Sequence, residues 1–211
     1  MSRGFGIGPA GEGAVSGPGH NGGPALEPGG GWRRHCWRAA RAALLPTLPI
    51  EVVRTRVRRA TELGLDYKTY AGVRATTGRD LVAFLFSTNA LRLLREGDRM
   101  RREEARRLAA ITRADRLLAT QPPLDAEAIR AELAAQGVTI RATTAAPGLS
   151  ASWSETGRHL RGFLAGCAHP ADGVLLVGET DLERDWVAAA RLAGYLTADA
   201  YFGRIMAAAG R

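Results

Sequence analysis

The chain has 211 residues, 45% of them apolar, enough for one ordinary domain with a sizeable core, and a formal net charge of +8. Its two cysteines, Cys36 and Cys167, exclude a disulfide framework and a paired zinc knuckle and suit a reducing compartment. No apolar run reaches the length of a membrane span, and no apolar stretch follows a basic start as in a secretory signal, so the expected location is a cytoplasm of bacterial type.

Residues 1–31, including "GFGIGPAGEGAVSGPGHNGGPALEPGGG", form a Gly/Pro-rich tail. Such a segment cannot bury enough apolar surface to offset its ordering entropy, which predicts disorder. Trp32–Leu45 reads as a basic amphipathic helix: Trp37, Ala40 and Leu44 share one face, with Arg34, Arg38 and Arg41 opposite. Pro46 and Pro49 break it. Ile50–Leu63 repeats the pattern. Val53, Val57, Ala60 and Leu63 make its apolar stripe, Arg54, Arg58 and Arg59 lie away from it, and Gly64 is placed to end it. Tyr67–Thr76 follows as a third helix with Asp66 as its cap.

After the turn "TGRD", Leu81–Phe86 ("LVAFLF") is a continuous apolar run, as expected of a strand buried on both faces. A helix start is expected at Asn89–Leu94, and "RMRREEARRLAAITRADRLLA" reads as one long charged helix up to Pro122-Pro123. "LDAEAIRAELAAQG" is a helix capped by Asp125 and closed by Gly137. Val138–Thr143 reads as a strand, with "LSASWS" as its candidate partner. "ETGRHLRGFLAGCA" is helical, Val174–Val177 is a second buried strand, and "LERDWVAAARLAGYL" is an amphipathic helix with Trp186 inward. "ADAYFGRIMAAAG" closes the chain as a short helix.

Strands therefore alternate with helices. This predicts an α/β fold: a small parallel or mixed sheet flanked by helices, with a basic helical N-terminal part and a disordered tail. The expected divisions are a tail over 1–31, a basic helical segment over 32–78 and an α/β domain over 79–211.

Charge is unevenly placed. Residues 31–116 carry 20 Lys+Arg against 9 Asp+Glu, whereas residues 117–211 carry 8 against 10. The basic half is a candidate face for a polyanion, DNA above all. Lys68 is the single lysine among 29 basic residues, a bias that GC-rich coding alone also produces. Ala60, Gly64, Leu63, Leu65, Tyr70 and Val73 are spaced so that two helices meet closely at a glycine turn. Over about twenty residues this resembles the bacterial helix-turn-helix pattern, departing from it at Arg59, where that pattern is apolar. The resemblance implies that Lys68, Thr69 and Arg74 face a major groove while Arg54, Arg58 and Arg59 meet phosphates. Two helices joined at a glycine are equally a common piece of scaffold. Trp32, Trp37, Tyr67 and Tyr70 interleave with the arginines, as base-stacking platforms do, though helix packing uses the same residues.

A second constellation lies at strand ends. Ligands of open parallel sheets bind beyond the carboxyl ends of the strands. Leu81–Phe86 runs into Ser87, Thr88 and Asn89; Val174–Val177 runs into Gly178, Glu179, Thr180 and Asp181. Hydroxyls and an amide beside carboxylates can hold a phosphate or a hydrated Mg²⁺, and they are also ordinary helix caps. This gives the alternative to DNA binding: a small α/β enzyme acting on a phosphorylated or nucleotide ligand, with Ser87, Asn89, Glu179 and Asp181 as its site. Glu155 with His159 and Cys167 with His169 could complete a metal site, and Ser87 could be a nucleophile with His159 or His169 as base, but no spacing fixes either arrangement. The glycines of "GFGIGPAGEG" precede any strand and make no dinucleotide fingerprint. The sequence calls for no resident cofactor or metal. DNA is the expected partner, a homodimer is compatible with the pattern, and no membrane span is expected.

Overall fold

The computed structural model describes residues 48–203. The chain divides into two units, Met1–Leu48 and Pro49–Arg211, and the fold below belongs to the second. The expected tail, the helix at 32–45 and the last residues of the closing helix lie outside the described residues. No helix among the described residues is long and apolar enough to cross a membrane.

Helices α1 (Ile50–Glu62) and α2 (Tyr67–Thr77) lead into β1 (Ala83–Ser87). Then follow α3 (Arg102–Ala109), β2 (Asp115–Thr120), α4 (Ala126–Ala135), β3 (Ala142–Ala145), α5 (Trp153–Gly166), β4 (Val174–Gly178), α6 (Asp181–Ala190), β5 (Gly194–Thr197) and α7 (Ala198–Phe202). The five strands lie in the order β3-β2-β1-β4-β5. All four pairings are parallel, with Ala83 opposite both Asp115 and Val174.

The central strands read as unbroken apolar runs because both faces of the sheet are covered. Side chains alternate across the pleat. Phe84, Phe86, Leu118, Leu175 and Val177 enter one core with Ala60, Leu63 and Tyr70 of the leading helices, Leu108, Ile129 and Tyr201. Ala83, Leu85, Leu117 and Leu176 enter the other, with Leu160 and Leu164 of α5 and Trp186 of α6. Thus α1 and α2 pack into the same core as the sheet. Sequence-local caps mark the helix starts. Asp66 accepts from Thr69 N, Asp125 accepts from Ala128 N, and Ser152 with Glu155 forms a capping box at α5.

Five expectations need correction. The long charged helix stops at Ala109, and Asp115–Thr120 is a strand. The guanidinium of Arg116 donates to Leu108 O and Ile111 O, filling acceptors at the end of α3 where the helix would otherwise have continued. "LSASWS" pairs with no strand among the described residues; Ser152 is the cap of α5. The helix after Leu182 ends at Ala190, and Gly194–Thr197 becomes the edge strand β5. The turn at Asn89–Leu94 does not start a helix. The strand expected at Val138–Thr143 sits a few residues later, at Ala142–Ala145.

Candidate functional site

From β1 the chain works outward through β2 to β3, then returns to place β4 and β5 on the other side. The strand order reverses between β1 and β4, and loops leave those two carboxyl ends in opposite directions. A crevice at that point is the usual ligand site of doubly wound sheets. Phe86 pairs with Val177, so the Ser87 and Gly178 clusters emerge side by side.

Ser87 and Thr88 are fully buried. Ser87 Oγ accepts from Ala90 N at 3.0 Å, and Thr88 Oγ1 accepts from Gln121 N at 3.1 Å. These hydroxyls shape the turn that presents Asn89. Across the crevice Thr180 caps α6: its Oγ1 accepts from Glu183 N at 3.2 Å. The Glu183 carboxylate, itself fully buried, folds back and accepts from Glu179 N at 2.7 Å and Thr180 N at 3.0 Å. Its other oxygen accepts from Asn89 Nδ2 at 3.0 Å and, more weakly, from Gln121 Nε2 at 3.5 Å. One carboxylate therefore joins the carboxyl ends of β1, β2 and β4. Its N–H donors offset the cost of removing the charge from water.

Gly178 is dictated by this packing. A Cβ there would stand 2.7 Å from Tyr195 Cε2 and 2.9 Å from Glu183 Oε2. Tyr195 donates to Thr180 O at 3.2 Å, fixing the rim. Burial, then the nearby Glu183 charge, push its phenol up to about 12. Glu179, Thr180 and Asp181 are exposed at the mouth. The Thr120 hydroxyl, at the end of β2, is buried without a protein partner among the described residues.

This arrangement limits the chemistry. A helix N-terminus in such a crevice ordinarily offers amides to a phosphate. Here Glu183 already supplies an anion at the amides of Glu179 and Thr180 just before the helix, and Glu179 and Asp181 add negative charge outside it. Direct phosphate capture at α6 is disfavoured; a cation between the rim and a phosphate is compatible with it. Mg²⁺ commonly binds through one or two carboxylates plus substrate phosphates, keeping several waters. Among the described residues, no three His, Cys, Asp or Glu converge as a ready metal cage.

Of the residues anticipated from sequence, Ser87, Asn89, Glu179 and Asp181 do fall on one edge of the sheet, with Ser87 inside the turn wall. Glu183 and Gln121 went unrecognised. The first looked like one more charge on an amphipathic helix, and the second follows a strand read as helix. The spacing Thr180-x-x-Glu183 is a capping-box signal that could have found Glu183.

The other candidates are dispersed. Glu155 closes the capping box of α5, while His159 Nε2 lies 2.8 Å from Ala145 O and 3.0 Å from Thr144 Oγ1. His169 Nε2 lies 3.0 Å from Asp115 Oδ2, at the amino end of β2. Burial pushes the Cys167 thiol up. These four do not gather as a metal site, and neither histidine is hydrogen-bonded to Ser87. Among the residues read toward DNA, Arg54 is exposed and pairs with Glu51 at 2.6 Å. Arg58 and Lys68 are exposed, and Thr69 bonds to the cap Asp66. Arg74 is half-buried, 3.9 Å from Asp80. Arg59 donates to Asp80 Oδ2, Glu62 Oε2, Leu81 O and Arg113 O, so its guanidinium is engaged within the fold.

Fold and crevice define a small, doubly wound, Rossmann-like α/β protein with its polar residues at the strand-order reversal. Comparison of the chain with protein-family models, with curated proteins and with solved structures gives no match in any of the three.

Proposed function

We propose that this chain is a small α/β enzyme acting on a phosphorylated or nucleotide ligand at the carboxyl ends of β1 and β4. In this reading Glu179 and Asp181 would hold a hydrated divalent cation, which would supply Lewis acidity toward a phosphorylated ligand. Asn89 and Gln121 fix Glu183, and Glu183 fixes the loop carrying Glu179 to Asp181. Ser87 and Thr88 hold the opposing turn. The observation that supports this reading most is the Asn89–Glu183 bond at 3.0 Å, which links the two central strand ends across the reversal point.

The test is isothermal titration with Mg²⁺ and a nucleoside diphosphate, together with a turnover screen over nucleoside and sugar phosphates. Binding should require Mg²⁺. Glu179→Gln with Asp181→Asn should weaken it by about tenfold or more, a loss of about 1.4 kcal/mol, and abolish turnover. Both side chains are exposed, so the fold should tolerate the change. Binding that ignores both the metal and these substitutions would remove the proposal.

A further inference from the structure

The opposite edge of the sheet carries a different chemistry. A groove of about 660 Å³ opens there beside α1, α2 and the turn before β2, with Arg56, Arg58, Arg59, Tyr70, Arg74 and Arg113 in its wall. Asp80 precedes β1 and Arg113 precedes β2, so the groove lies at the amino ends of the strands, away from the crevice. Its volume is within the ~300–1,000 Å³ of small-molecule sites.

The charges do not balance. Five guanidinium groups face three carboxylates, Glu51, Glu62 and Asp80. Glu51 is held by Arg54, at 2.6 Å. Arg59 holds both others, Asp80 at 3.0 Å and Glu62 at 3.1 Å. Tyr70 donates to the second Asp80 oxygen at 2.8 Å. Arg74 and Arg113 approach those acids only at 3.9 and 3.7 Å. Arg56 and Arg58 have no carboxylate within ion-pair reach among the described residues. Two layers result: an inner Asp80–Arg59–Glu62 network that fixes the floor, and an outer set in which Arg74 and Arg113 reach those acids only at long ion-pair distance and Arg56 and Arg58 pair with no carboxylate among the described residues.

We propose that this groove is a phosphate-binding site, with Arg56, Arg58, Arg74 and Arg113 as its donors. A single carboxylate would leave most of the surplus positive charge unanswered. A phosphate offers several oxygens to planar forks and more charge. The same group is presented by a free phosphate ester or by the backbone of a single-stranded nucleic acid. The inference is independent of the function proposed for the crevice, since no residue is shared.

The test titrates the full chain at low salt with inorganic phosphate, a nucleoside monophosphate and a single-stranded oligonucleotide. Arg56→Ala with Arg58→Ala, and Arg113→Ala separately, should each weaken binding by about threefold or more, with the pair losing about tenfold. Arg130→Ala with Arg158→Ala, which removes equal charge elsewhere, should leave it unchanged. Arg59 is not substituted, because it holds the floor, and melting curves verify that the variants fold. If the monophosphate competes as well as the oligonucleotide, the ligand is a free ester. If only the oligonucleotide binds, with log K falling linearly in log salt and a slope smaller by about 1.4 in the pair variant, the ligand is the backbone. Absence of binding by all three probes, or equal losses in the control pair, overturns the proposal.

Discussion

Tyr195 donates its hydroxyl to Thr180 O while its ring lies under the guanidinium of Arg184, 5.2 Å from centroid to Cζ. Its phenol is held above the ordinary value of 10.0, at about 12, by burial and then by Glu183. The folded state therefore binds the proton more tightly than the unfolded chain. The resulting stability is fully present below pH 10 and is lost as pH rises through about 12. Tyr201 and Tyr70 are raised as well, both chiefly by burial, and act in the same direction. Tyr195→Phe should flatten the alkaline loss of stability without removing it, read as denaturation midpoints against pH beside the absorbance of tyrosinate. An unchanged profile would show that Tyr195 titrates alike folded and unfolded. At this scale the sequence was partly legible. The place of Asn89, Glu179 and Asp181 at strand ends could be read because they lie just beyond buried apolar runs. Glu183 could not be weighed, because its importance arises from donors on three strand ends that only the fold brings together. Arg59 was misleading: its charge is visible in the sequence, but three of its four acceptors, Asp80, Leu81 O and Arg113 O, come from distant segments.

Helices α5 and α6 show how an element is placed by one small residue. Gly157 sits where α5 crosses α6, and a Cβ there would stand 2.3 Å from Ala189 O and 2.7 Å from Arg161 Nη1. Arg161 Nη1 in turn donates to Ala189 O at 2.6 Å, so neither neighbour yields easily. Gly162, on the same helix, has open space around its Cβ position. Gly157→Ala should destabilise by about 1–3 kcal/mol through overpacking. Gly162→Ala should stabilise by about 0.5–1 kcal/mol, because alanine orders at lower entropic cost in a helix. Paired urea melts decide it, and shifts of the same sign would mean the close approach is not as described. The elements themselves were unequally readable. β1 and β4 announced themselves as continuous apolar runs because they are central. β2 begins with Asp115 and Arg116, and follows a helix rich in the same charges, so its period was hidden. The signal that separates them, Arg113 at φ 58, is a backbone conformation rather than a residue type prone to it. β5 is four half-buried residues after an alanine-rich helix, too short to show alternation.

Seen as a whole molecule, the sheet is polarised. The amino edge gathers arginines around Asp80 and Glu62, and the carboxyl edge gathers Glu179, Asp181 and Glu183. Net charge concealed this, since much of the arginine surplus acts inside the fold. Arg107 donates to Gly64 O at 2.9 Å and lies over Tyr201, and Arg116 ties α3 to the segment before β3 through Thr139 O at 2.9 Å. Two edges of opposite sign should respond to opposite ions without interfering. A ligand that binds only the folded state stabilises it by RT ln(1 + [L]/Kd), about 2.7 kcal/mol at a hundred times Kd. Mg²⁺ should therefore raise the melting temperature of the wild-type chain and of Arg56→Ala/Arg58→Ala alike, but not that of Glu179→Gln/Asp181→Asn. Inorganic phosphate should give the reverse pattern. In the presence of both ions the two stabilisations should add, because sites without shared partners contribute independently. If either ion's effect disappears in the variant of the opposite edge, the two edges are one coupled site, and the separate assignments to crevice and groove fail together.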